Sequence, residues 1–166
     1  GLTGQKVDPQ VFRNLLAGFD PTGEQRWVQN AGKFGGSARD RMPGYDLTSS
    51  VPESLSYVWS ICAPQLRAEI EDVILEAVTK TIAEVEKLAY IRVGKAGKEH
   101  LSAGVTVMAT MHHTARPRDS ETRPDPDLHV HAIMPDTRIT EDGRTAALNC
   151  LRFLDKKTGK TDRHFS

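Results

Sequence analysis

A chain of 166 residues, 38% hydrophobic and 27% charged, has the length and make-up of one soluble globular domain with a real core. Its 22 Lys plus Arg balance its 22 Asp plus Glu, so the overall basic excess usual in a nucleic-acid binder is missing. No apolar run reaches the roughly 20 residues of a membrane-spanning helix, so no spanning helix and no membrane partner are expected.

The opening Gly1-Leu2-Thr3-Gly4-Gln5-Lys6 is too polar for a secretory leader, and the absent initiator Met suggests an excised or trimmed segment. Asp8 suits a helix N-cap and Pro9 the first turn. Val11, Phe12, Leu15 and Leu16 follow at helical spacing, and Asp20-Pro21-Thr22-Gly23 is the expected stop. Asn30 to Pro43 reads as a loop. From Tyr45 to Val51 a strand is expected, with Asp46, Thr48 and Ser50 on one face and Tyr45, Leu47 and Val51 on the other. Pro52 opens a short helix carrying Leu55, Val58, Trp59 and Cys62. Pro64 opens a longer one, with a core-facing stripe of Leu66, Ile70, Val73, Ile74, Ala77, Thr81, Val85, Leu88 and Ala89.

Val105 to His113 reads as a strand with Val105, Val107, Ala109 and Met111 on one face and Thr106, Met108, Thr110 and His112 on the other. Arg116 to Pro126 is a polar surface loop. Leu128 to Met134 is a further strand, its apolar face Leu128, Val130, Ala132 and Met134 and its other face His129, His131 and Ile133. Thr137 to Leu148 reads as a hairpin around Asp142-Gly143. Cys62 and Cys150 lack metal-ligand spacing and read as reduced core thiols of a cytoplasmic protein. The pattern favours an α+β, two-layer domain over residues 1–166: a central antiparallel sheet, helices on one face and a polar set on the other.

That polar set carries the chemistry. His129 and His131 are two apart on a strand, so their imidazoles share a side, and His112 sits on the polar side of another strand. If these strands pair, three imidazoles converge as ligands of one catalytic divalent ion, with room for further ligands. Asp46 is placed to accept the second ring N–H of one of them. Spacing leaves the plainer alternative open, that these histidines are ordinary surface.

Three motifs decide what the pattern resembles. Gly44-Tyr45-Asp46-Leu47-Thr48-Ser49-Ser50-Val51-Pro52-Glu53-Ser54-Leu55-Ser56 resembles the Gly-x-Asp-Leu-Thr-Phe-Ser-x-Pro-Lys-Ser-Val-Ser signature of TrwC/TraI-type conjugative relaxases. His112-His113-Thr114-Ala115-Arg116 is similar to their His-x-Thr-Ser-Arg, and Asp125-Pro126-Asp127-Leu128-His129-Val130-His131 to their Asp-Pro-Gln-Leu-His-Thr-His. The motifs keep the family's order, and the resemblance covers nearly the whole chain.

The resemblance implies a palm-like relaxase fold and a metal-dependent nickase and strand transferase, acting on single-stranded DNA at a plasmid transfer origin beside accessory conjugation proteins. It implies metal ligands His112, His129 and His131, a catalytic Asp46, DNA contacts at Thr48, Ser50 and Arg116, and Mg, Mn, Zn or Ni as the ion. The family's nucleophilic tyrosine lies upstream of the matched region; Tyr45, Tyr57 and Tyr90 are not candidates, so no nucleophile is expected within the chain. Ser49, Glu53 and Ala115 replace a Phe, a Lys and a Ser, Arg144 stands at an aromatic position of the last hairpin, and the gap from Arg116 to Asp125 is longer than in the family. Two other functions fit the same residues: a regulatory DNA-binding module that has lost nicking, and a three-His hydrolase using metal-bound water. Bases from Arg116 onward, among them Arg138 and Arg144, would form the basic face, and Trp27, Phe34 or Phe153 would stack on bases if exposed.

Overall fold

The computed structural model describes residues 6–33, 42–93, 99–102, 104–117, 123–140 and 143–147. Phe34, Phe153, Cys150, Arg118 and the basic residues from Arg152 onward lie outside them.

Helix α1 spans Pro9–Ala17, and the Asp8 carboxylate accepts the Gln10 and Val11 N–H groups. It ends before the expected Asp-Pro-Thr-Gly turn, because Gly18 adopts the left-handed conformation (φ 87°) that closes a helix, its N–H bonding back to Asn14 O and Leu15 O. Strand β1 covers Gly44–Ser50, helix α2 Glu53–Ile61 and helix α3 Pro64–Leu88. A short antiparallel pair follows, β2 (Tyr90–Val93) with β3 (Glu99–Ser102), where alternation predicts no strand; Tyr90 therefore opens a strand rather than sitting on a helix. Strand β4 covers Met108–Thr114 and β5 covers Pro126–Pro135. Strands β6 (Thr137–Ile139) and β7 (Thr145–Ala147) form the expected last hairpin.

The three-stranded sheet runs β1-β5-β4, antiparallel throughout. Gly44 is required where it stands, since a Cβ there would run into the Met134 carbonyl oxygen of β5. The central strand is read correctly from alternation: Leu128, Val130, Ala132 and Met134 are 0–2% exposed. Ile74 and Val78 of α3 pack on this face, joined by Leu47, Trp59, Ile70, Ile82, Ala109 and Met111. Burying a side chain such as Leu128 or Val130 contributes about 1.5–3 kcal/mol each. The result is α+β with helices on one face of an antiparallel sheet.

The α3 stripe is shifted from the one read in the sequence. Ile70, Ile74, Val78, Ile82, Val85 and Ala89 face inward, while Val73 is 65% and Leu66 44% exposed. Its inward row steps mostly by four, and Val73 falls one position off it. Arg67 closes the α2–α3 corner by donating to Ser60 O and Cys62 O. Arg138 also corrects the sequence reading: it is 1% exposed, donates Nη1–H to Pro135 O and Thr137 O, and cannot belong to a surface basic face. Burial pushes its guanidinium down to about 10, against the opposing pull of Asp136, Tyr45 and Glu86.

Candidate metal centre

Register alone brings the histidines together. His112 of β4 lies directly across from His129 of β5. His131, two residues on, faces Thr110 of β4 on one side and Thr48 of β1 on the other. The three imidazoles form a nearly equilateral triangle, with ring centroids 5.1, 5.1 and 5.2 Å apart. One ligand nitrogen from each lies within 4.8 Å of the others. Imidazole bonds to a shared divalent ion are about 2.0–2.1 Å long, so the three rings would close in on it.

Two of the rings are held in a form suited to ligation. His131 Nδ1 is 2.7 Å from Asp46 Oδ2 and 3.2 Å from Thr48 Oγ1. His129 Nδ1 is 3.0 Å from the Asp127 carbonyl oxygen. A carboxylate and a carbonyl only accept, so each Nδ1–H donates, and in the neutral ring this leaves the Nε2 lone pair for an ion. His129 and His131 are half-buried and His112 is exposed, which leaves the centre open to a large ligand. The residues present therefore fit a bound divalent cation.

The remaining sequence-named positions divide. Asp46, Thr48 and Ser50 share the histidine face; Ser50 sits across from His129. Arg116 is exposed just beyond β4. Glu53 opens α2 as an exposed first-turn acid, a place the helix dipole favours for a negative charge. Trp27 is half-buried beside Val28, Asn30 and β7 rather than on the histidine face. Tyr57 is on α2, and Tyr45 neighbours Asp46 on β1 and so faces the other way.

Sequence reasoning missed three supports: the Thr48 hydroxyl on His131, the Asp127 carbonyl on His129, and a cluster behind β4. There His113 stacks on Trp59 (4.7 Å, planes 7° apart) with Nε2 3.2 Å from Glu71 Oε1, and Trp59 Nε1–H donates to the same oxygen at 2.9 Å. The last was legible only as a helical row, Trp59 on α2 and Glu71 on α3, without anything to pair them.

Comparison with known proteins agrees with this geometry. The TrwC relaxase family model matches residues 1–163. The chain belongs to the TrwC relaxase family. It is 36% identical over 136 residues to the multifunctional conjugation protein TraI of Escherichia coli strain K12, across 81% of this chain but 7% of that protein. A second Escherichia coli TraI is 33% identical over 135 residues, with the same coverage. Among solved structures, the conjugative relaxase TrwC complexed with a 27-mer DNA of recognition hairpin and cleavage site superposes with a TM-score of 0.72 at 29% identity, over 89% of this chain and 49% of that one. A metal-bound TrwC in complex with oriT DNA gives 0.71 at 29% identity, over 89% and 47%. The chain thus spans about half the length of the relaxase structures it matches, and a small part of the TraI proteins.

Proposed function

We propose that this chain is the metal-binding part of a conjugative relaxase, a divalent-metal-dependent enzyme that nicks single-stranded DNA at a transfer origin and transfers the strand. The observation that carries it is the three-histidine triangle of His112, His129 and His131, backed by Asp46, on a relaxase-family sheet. The metal-bound and DNA-bound TrwC relatives support the same reading. The ion is Mg, Mn, Zn or Ni, with imidazole donors favouring the transition metals. When bound, it supplies a Lewis acid that polarises the scissile phosphate.

The protein's own residues do the positioning. His129 and His131 present Nε2 from one strand, and His112 presents its ring from the next. Asp46 fixes the His131 ring and adds negative charge beside the site. Thr48, Ser50 and Arg116 are the proposed DNA contacts. The transesterification uses a tyrosine that the described residues do not provide: its phenolic oxygen bonds to phosphorus and the 3′ oxygen leaves. Residues 1–166 are accordingly read as one portion of a longer relaxase domain, working in the cytoplasm with accessory conjugation proteins. No helix among the described residues is long and apolar enough to cross a membrane.

The test joins metal and DNA. Equilibrium dialysis of the purified chain against Mn, Zn and Ni should give one bound ion, and a labelled single-stranded oligonucleotide should bind in the same preparation. On a denaturing gel the chain alone should form no covalent adduct with DNA. Absence of both metal and DNA binding would overturn the proposal, and a tyrosine-linked adduct would overturn the account of the nucleophile. Metal binding with phosphodiester hydrolysis, and no DNA joining in the longer protein, would instead favour the hydrolase.

A further inference from the structure

Ser56 of α2 is fully buried although polar. Its Oγ accepts the Leu128 N–H at 2.9 Å. The bond stands at the end of the β1–β5 ladder, where Val51 N–H gives to Leu128 O at 3.2 Å. In a continuing antiparallel pair, Leu128 N–H would return the bond to Val51 O. Pro52 instead turns the chain into α2, and the Ser56 hydroxyl takes that N–H.

On the other side of β5 the register slips at the same place. His112 faces His129, but Thr114 faces Pro126. Three steps along β5 match two along β4, so β5 carries one extra residue within Asp127–Leu128. A bulge of this kind re-aims nearby groups. Here the Asp127 carbonyl oxygen comes to lie 3.0 Å from His129 Nδ1.

We propose that Ser56 is a positioning residue of the metal centre. Its hydroxyl anchors the Leu128 amide, which holds the bulge, and the bulge aims the Asp127 carbonyl that sets the tautomer and direction of the His129 ring. The inference rests on the three histidines being metal ligands. His131 has its own support in Asp46 from β1, so loss of Ser56 loosens one ligand and spares another.

Cobalt(II) titration followed by visible absorption tests it, because band position and intensity report coordination geometry while a global stability loss does not move them. The set is the wild type, Ser56→Ala, Ser56→Cys and Val85→Ala, the last a destabilising control in the α3 core (2% exposed). Ser56→Ala should bind cobalt about tenfold more weakly, the range for lost outer supports, with a changed spectrum. Ser56→Cys, a weaker acceptor of similar size, should fall between it and the wild type. Val85→Ala should lose stability and keep both affinity and spectrum. Should Ser56→Ala fail to fold, Ser56→Cys carries the test alone. Wild-type affinity and spectrum in the Ser56 variants would overturn the proposal, as would equal losses in Ser56→Ala and Val85→Ala. A wild type that binds no cobalt would take down the metal reading itself, and this inference with it.

Discussion

His112 and His113 are neighbours on one strand and belong to two different environments. His112 joins the triangle on the open face. His113 points through the sheet to the helices, where Trp59 covers its ring and Glu71 meets its Nε2. The same side-chain chemistry is thus turned toward the histidine cluster on one face and toward packing on the other, and only strand alternation decides which. The open face keeps polar groups aimed at one point, while the helix face converts them into fixed internal contacts.

The sharpest way to break this comparison is to remove each histidine in turn. His112→Ala should lower metal affinity beyond the roughly hundredfold seen when outer supports are removed. His113→Ala should leave metal affinity unchanged and lower stability. Equilibrium dialysis and chemical denaturation read the two effects, and equal metal losses would erase the distinction between the faces.

The next largest effect belongs to the helix face. Leu128→Ala empties a fully buried position of the central strand and should cost about 2–5 kcal/mol in denaturant unfolding. A loss below ~1 kcal/mol would mean that this face is not the core that orders the site.

Asp46→Asn comes third. It keeps the shape but removes the charge at 2.7 Å from His131 Nδ1, and should weaken metal binding about ten- to a hundredfold with little change in folding. An unchanged affinity would reduce Asp46 to a bystander.

How much of this was legible follows from the same alternation. Strand β5 could be read because its apolar and polar residues alternate without a break, and β1 because Asp46, Thr48 and Ser50 separate from Leu47 and Val51. The triangle was readable as far as shared faces go, but not the pairing of His112 with His129, since register depends on contacts between distant segments. Tyr90 to Ser102 was missed because two four-residue strands leave too short a pattern. The α3 stripe is ambiguous in the sequence because Val73 and Ile74 are both apolar, and only packing against the sheet selects Ile74. Arginine is a surface residue by type, whereas the position of Arg138 after β5 buries it.

The smallest effect expected is at Arg116, and it tests whether the open face meets DNA. The chain is neutral overall, and among the described residues Arg138 is buried and gives the open face no cation, while Glu53 is an exposed acid. Binding to single strands should therefore be weak and lost at moderate salt. Each phosphate neutralised on a single strand adds about 0.7 to the slope of log affinity against log salt. Arg116→Ala should reduce that slope by about one such step and lower affinity only a few-fold at low salt. Fluorescence anisotropy with a labelled oligonucleotide across a salt series measures both. A slope that does not change would place Arg116 off the DNA path, and the strand would then have to cross the histidines from the β1 side, past Thr48 and Ser50.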